Sequence, residues 1–130
     1  METMELEAQV YAGITSDSDL LAMLPNGIKS VFHLQAPSDD NLRYPILVYS
    51  PVSDVPALVG DDVEVTHRVT MRVHIITTDG QYHAIYRRIH QIMQGLGYAR
   101  VQAMPYVENE QRVLIVDYRI GVDSGWQQSG

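Results

Sequence analysis

A chain of 130 residues with an apolar share of 45% and a mean hydropathy of −0.11 can bury one core and lacks the length for two ordinary domains. Its net charge of −7, from 9 basic and 16 acidic residues, opposes the phosphate backbone and argues against tight DNA or RNA binding. A surface past which nucleic acid slides without sticking is acidic for the same reason. The absence of cysteine excludes disulfides, thiolate nucleophiles and cysteine zinc sites.

No stretch approaches the roughly 18 apolar residues that a membrane span requires, and the opening METMELEAQV is acidic where a signal peptide is basic. The expectation is a soluble domain over residues 1–122 and a flexible tail over 123–130. From Met4 to Leu24, Leu6, Val10 and Ile14 and then Leu20, Leu21 and Leu24 predict two helical pieces, broken near Gly13 to Asp19. Ser16 or Asp17 caps the second piece and Pro25-Asn26-Gly27 stops it. Ile28 to Leu34 reads as a short strand through Val31 and Phe32. A polar loop follows over Ala36 to Asn41, and Tyr44 to Tyr49 is a strand that Pro45 places at a beginning or an edge.

Residues Pro51 to Asp61 combine two prolines and a glycine with Val52, Val55, Ala57, Leu58 and Val59 and show no period. This pattern predicts a long apolar loop. From Asp62 to Thr77 alternation is strict: Val63, Val65, His67, Val69, Met71, Val73 and Ile75 on one face; Asp62, Glu64, Thr66, Arg68, Thr70, Arg72 and His74 on the other. That is a long strand with one buried face, on the order of 50 Å at about 3.3 Å per residue. Such a strand is either bulged or projects as an arm.

Tyr82, Ile85, Tyr86, Ile89, Ile92, Met93 and Leu96 follow helical spacing and predict one long amphipathic helix. Thr78 or Asp79 is the expected cap at its start, Gly95 or Gly97 the left-handed residue at its end. Tyr98 to Met104 and Arg112 to Val122 form an antiparallel pair around Glu108-Asn109-Glu110, with Leu114, Val116, Tyr118, Ile120 and Val122 facing inward. The order of elements predicts the α+β class: a mainly antiparallel sheet with N-terminal helices and the long amphipathic helix packed on it.

The sequence shows no catalytic or metal-binding constellation. His83 and His90 are about 10 Å apart along a helix, too far for one zinc, and His67 and His74 point to opposite faces of a strand. His67, interrupting an apolar face, reads as hydrogen-bonded at the core margin. Asp39-Asp40 and Asp61-Asp62 are adjacent pairs of solvated turns. No GxSxG elbow surrounds a serine, and Gly95-Leu96-Gly97 is too short for a phosphate-binding loop. No catalytic, cofactor-binding or metal residue is assigned and no cofactor is implied. Two features instead point to assembly: the apolar residues Val55, Leu58 and Val59, which are hard to bury in a small domain, and the charged second face at Asp62, Glu64, Arg68 and Arg72, which suits a neighbouring subunit. These seven residues form the expected subunit or partner interface.

The series LEAQVYAGITSDSDLLAML, RYPILVYS, HRVTMRVHIITTDGQYHAIYRRIHQIM and VLIVDYRI, in this order between Met4 and Val122, resembles the tail-completion, or tail-terminator, proteins of long-tailed bacteriophages and prophages. The resemblance implies a non-enzymatic structural subunit of the virion neck, assembled in the host bacterial cytoplasm. It implies a homo-oligomer, commonly a hexameric ring, that terminates the tail tube, docks on the head connector and lets DNA through its lumen without binding it specifically. Two rival readings of the residues stand beside it. One is a dimeric α+β ligand-binding domain with a pocket between the sheet and the helix of residues 80–96. The other is a small hydrolase or lyase with His67 or His74 as its base.

Overall fold

The computed structural model of the chain describes residues 3–60 and 63–123, without the side chains of 57–60, 63–66 and 123. Asp62, Trp126 and the segment 124–130 therefore lie outside the described residues, as do the side chains of Leu58, Val59 and Glu64.

Helix α1 spans Thr3–Thr15 and buries Leu6, Val10 and Ile14 along one side. It runs past Gly13, where a bare Cα is useful: a Cβ there would lie 3.2 Å from both Ile92 and Leu96, so the glycine is the point at which two helices cross. The break comes at Ser16 and Asp17. The Asp17 carboxylate accepts the Leu20 N–H at 2.9 Å and so caps the one-turn helix α2, Ser18–Leu21. A 3₁₀ turn over Gly27–Ser30 precedes β1, Val31–His33, so the strand expected from Ile28 is only three residues long.

Strand β2 runs through Ile46–Gly60 and pairs along its length with β3, Val63–Thr77. The apolar loop expected over Pro51 to Asp61 is therefore strand as far as Gly60. It hides from a periodicity search because register shifts fall between Pro51 and Ser53, Pro56 and Leu58, and Leu58 and Val59, and each resets the alternation of faces. The prolines are tolerated because β1 pairs only with Leu47, Val48 and Tyr49, leaving the rest of β2 at an edge. Strand β3 is regular, pairing with β5 (Gln111–Asp123) from Thr66 to Thr77 without a shift.

Helix α3, His83–Gly95, has 13 residues, as many as α1, and so is not the long helix expected. Its inward face is Ile85, Ile89 and Met93. Neither Thr78 nor Asp79 caps it, because Asp79 accepts the Gln81 N–H at 2.9 Å within the preceding turn, and Tyr82 stands at the cap without a side-chain bond. At the other end Gly97 has φ +98, Gly97 N–H donates to Gln94 O and Tyr98 N–H to Met93 O, both at 3.0 Å. This is a Schellman closure, with Tyr98 and Met93 both buried beneath it. Strand β4, Ala99–Glu108, continues past Met104 through Pro105, and a turn with Asn109 at φ 56 leads into β5. Strand β5 reaches Asp123, one residue into the expected tail.

The sheet order is β1-β2-β3-β5-β4, with β1 parallel to β2 and all other neighbours antiparallel. One face carries Leu47, Tyr49, Val69, Met71, Val73, Ile75, Leu114, Val116 and Tyr118, all buried in one cluster with the inward residues of the three helices. The fold is α+β, a five-stranded, mostly antiparallel sheet with short helices on one face. Among the described residues, no helix is long and apolar enough to cross a membrane.

Candidate functional site

The face of the sheet turned away from the helices holds the charged row of β3, and the register decides what each member meets. Val55 lies opposite Arg68 in the β2–β3 ladder; Val55 is 48% exposed and Arg68 is exposed. Further out, the backbones of Leu58 and Thr66, and of Val59 and Glu64, stand opposite each other. The expected contact residues Val55, Leu58, Val59, Glu64 and Arg68 are thus brought onto one hairpin arm that extends beyond the part of β2 held by β1.

Arg72 differs. It stands across from Asp117 in the β3–β5 ladder, donating from Nε at 2.7 Å and from Nη2 at 3.0 Å to the two carboxylate oxygens. Gln102 on β4 donates to the same carboxylate at 2.7 Å. Asp117 is 3% exposed, so the fork of Arg72 supplies a charge that a buried carboxylate needs. The Arg72 hydrogen bonds hold the Asp117 carboxyl below its ordinary value against the opposing effect of burial, and Asp117 in turn raises Arg72. Arg72 is therefore spent inside its own chain, tying three strands together. Beside it, His74 is shifted down by burial and by the Arg72 charge, which keeps the imidazole neutral.

His67 is 7% exposed at the margin of the core. Its Nδ1 lies 2.5 Å from Asp54 Oδ1, and Thr3 Oγ1 donates to Asp54 Oδ2 at 2.7 Å. Burial pushes the Asp54 carboxyl up, but the hydrogen bonds from His67 and Thr3 outweigh it and leave the group below its ordinary value. The pair fastens the first turn of α1 to the base of the arm. As chemistry it offers a base and an orienting acid, yet the hydroxyl in the set donates to the acid, which is the wrong end for a nucleophile. His74 is on the opposite face and joins no such pair. No group of three His, Cys, Asp or Glu side chains among the described residues could hold a metal ion.

The space between the sheet and α3 is packed by Ile85, Ile89 and Met93 at 0–3% exposure. A hollow of about 530 Å³ on the surface is an open groove beside Tyr82, Pro105, Tyr106 and Arg112. Sequence reading passed over β4, whose ten residues are all exposed. The signal was available: the run Val101 to Val107 has no charge, unusual for an outermost strand.

A family model described as tail completion protein gp17 matches residues 8–122. In fold the chain is similar to a chain of a solved structure described as the virion of a native gene transfer agent particle, with a TM-score of 0.62 and 16% identity over 92% of this chain and 95% of that one. No curated protein matches it.

Proposed function

Because the chain belongs to the tail completion protein gp17 family, we propose that it is a structural tail-terminator subunit, forming a ring at the head-proximal end of a phage tail. The ring stops growth of the tail tube and joins the tail to the head connector, and DNA passes through its lumen. The observation that carries this reading is the extent of the family match, which runs from within α1 to the end of β5.

Three features support it. The net charge of −7 suits a lumen that must not retain DNA, since repulsion removes the counterion-release gain of binding. The arm places Val55 and Arg68 at an exposed position, and with Leu58, Val59, Asp62 and Glu64 they form the subunit contact. Arg72 serves that contact from behind, by holding the strands in register through Asp117. The His67–Asp54 pair is structural, and the protein is read as an assembly factor of the virion neck, made in the host cytoplasm, with no enzymatic step. Electron micrographs of the purified chain test this: closed rings with a central hole are expected. A field of monomers or two-fold dimers at high concentration would count against it.

A further inference from the structure

The sheet has two unlike edges and both are open. At one edge β4 has β5 on its inner side and, among the described residues, no strand on its outer side, and every residue from Ala99 to Glu108 is exposed. Its apolar side chains are Val101 at 45%, Met104 at 39%, Tyr106 at 38% and Val107 at 62% exposure. At the other edge β2 loses its outer partner after Tyr49 and exposes Val52 at 45% and Val55 at 48%. The two edges are built alike. Val52 is left out of register by the shift between Pro51 and Ser53, and Val101 by the shift between Arg100 and Gln102, so each bulge presents a valine.

Both edges carry charge. Residues 83–107, which run through α3 into β4, contain Arg87, Arg88 and Arg100 and no carboxylate before Glu108 closes β4, whereas residues 51–66 contain Asp54, Asp61, Asp62 and Glu64 and no lysine or arginine before Arg68, which stands opposite Val55. Arg88 is matched within the chain by Asp17, whereas among the described residues Arg100 donates to the neutral hydroxyl of Tyr86 at 2.6 Å. Each edge therefore offers opposite charge to the other, Arg100 to Asp61, Asp62 and Glu64 and Glu108 to Arg68, which is the complementarity that steers two surfaces together and fixes their register.

From this we infer that β4, through Val101 to Val107, is the docking edge for the β2 arm, Val52 to Pro56, of a second copy of the chain. Both halves of the contact are present on every copy and they differ, so the contact is head-to-tail and each subunit keeps one edge of each kind for its neighbours. Such a contact closes into a ring when its rotation permits. Pro51, Pro56 and Pro105 each lack an N–H, so a long hydrogen-bonded ladder cannot form and the apolar side chains supply most of the contact. The same prolines and bulges blunt pairing with unrelated strands. The inference deepens the ring reading above and rests on it.

The chain has no cysteine, so engineered ones are unambiguous. Val55→Cys protein is mixed with Val101→Cys, Met104→Cys or Val107→Cys protein under mild oxidation at a concentration used for micrographs, each variant first shown to melt at the wild-type temperature. A disulfide requires Cα atoms within about 7 Å. The expected result is a mixed dimer between Val55→Cys and at least one β4 variant, and a ladder ending at a fixed size when both cysteines are on one chain. Dimers formed by a β4 variant with itself would show a two-fold contact and overturn the inference. Rings seen in micrographs without mixed cross-links would overturn it while leaving the ring reading intact. Absence of both would overturn both.

Discussion

Strands β2 and β3 pass through two different environments, and Arg72 and Arg68, four residues apart on the same strand and face, show the contrast. At the inner end Leu47, Tyr49, Val69, Met71, Val73 and Ile75 are sealed beneath helices, and on the reverse side Arg72 meets a buried carboxylate. At the outer end the strands continue as a bulged hairpin, with Val55 and Arg68 exposed. The inner end is a fold that satisfies itself; the outer end leaves Val55 and Arg68 exposed and is the part we propose for contact with a neighbouring subunit. The same residue type at the same strand spacing therefore has unequal roles, and substitution should separate them.

The largest expected effect is in the sealed half. Ile89→Ala removes a fully buried side chain and should cost about 2–5 kcal/mol, read as a lower urea midpoint at constant slope. Next, Arg72→Ala leaves Asp117 buried with the Gln102 bond but without its charge partner and should cost about 1–3 kcal/mol, while Arg68→Ala stays within about 0.5 kcal/mol; equal effects would erase the comparison. Gly97→Ala places a side chain at φ +98 and 3.3 Å from Ile120, at a cost of about 1–2 kcal/mol.

The pH dependence gives a smaller effect of known sign. Asp17, Asp54 and Asp117 are all held below the ordinary carboxylate value of 3.8. A depressed folded pKa means that the unfolded state binds protons first on acidification. The stabilisation is thus complete above the ordinary value and is lost as pH falls through the lower folded values. Urea midpoints followed from about pH 6 to about pH 2 should fall on this acid limb. They should fall less steeply in Arg72→Ala, where Asp117 no longer has its partner.

How far these two regions were legible in the sequence follows from the range of the interactions involved. The inward row of β3, the inward face of α3 and the Asp17 cap depend on neighbours within a turn or a pleat, and the spacing of residues exposes them. The strand over Pro51 to Gly60 was not visible, because three register shifts destroy the period and two prolines mimic loop composition. Nor could the sequence distinguish Arg72 from Arg68. The partner of Arg72 is 45 positions away, and only the β3–β5 register places it opposite. The reading of a charged second face assigns both arginines to a subunit or partner interface, whereas Arg72 is bonded to Asp117 within the chain. The position of β4 at the outside of the sheet was hidden for a similar reason, since strand order cannot be read from alternation alone, although its uncharged run was visible.

The central claim is that the inner half of the hairpin folds the subunit and the outer half assembles it. Sedimentation velocity of wild-type and Arg68→Glu protein, run with thermal melts of both, tests it most directly. The account predicts an unchanged melting temperature together with loss of the ring-sized species in the variant. An intact ring in Arg68→Glu, or a melting temperature that falls as far as in Arg72→Ala, would contradict it.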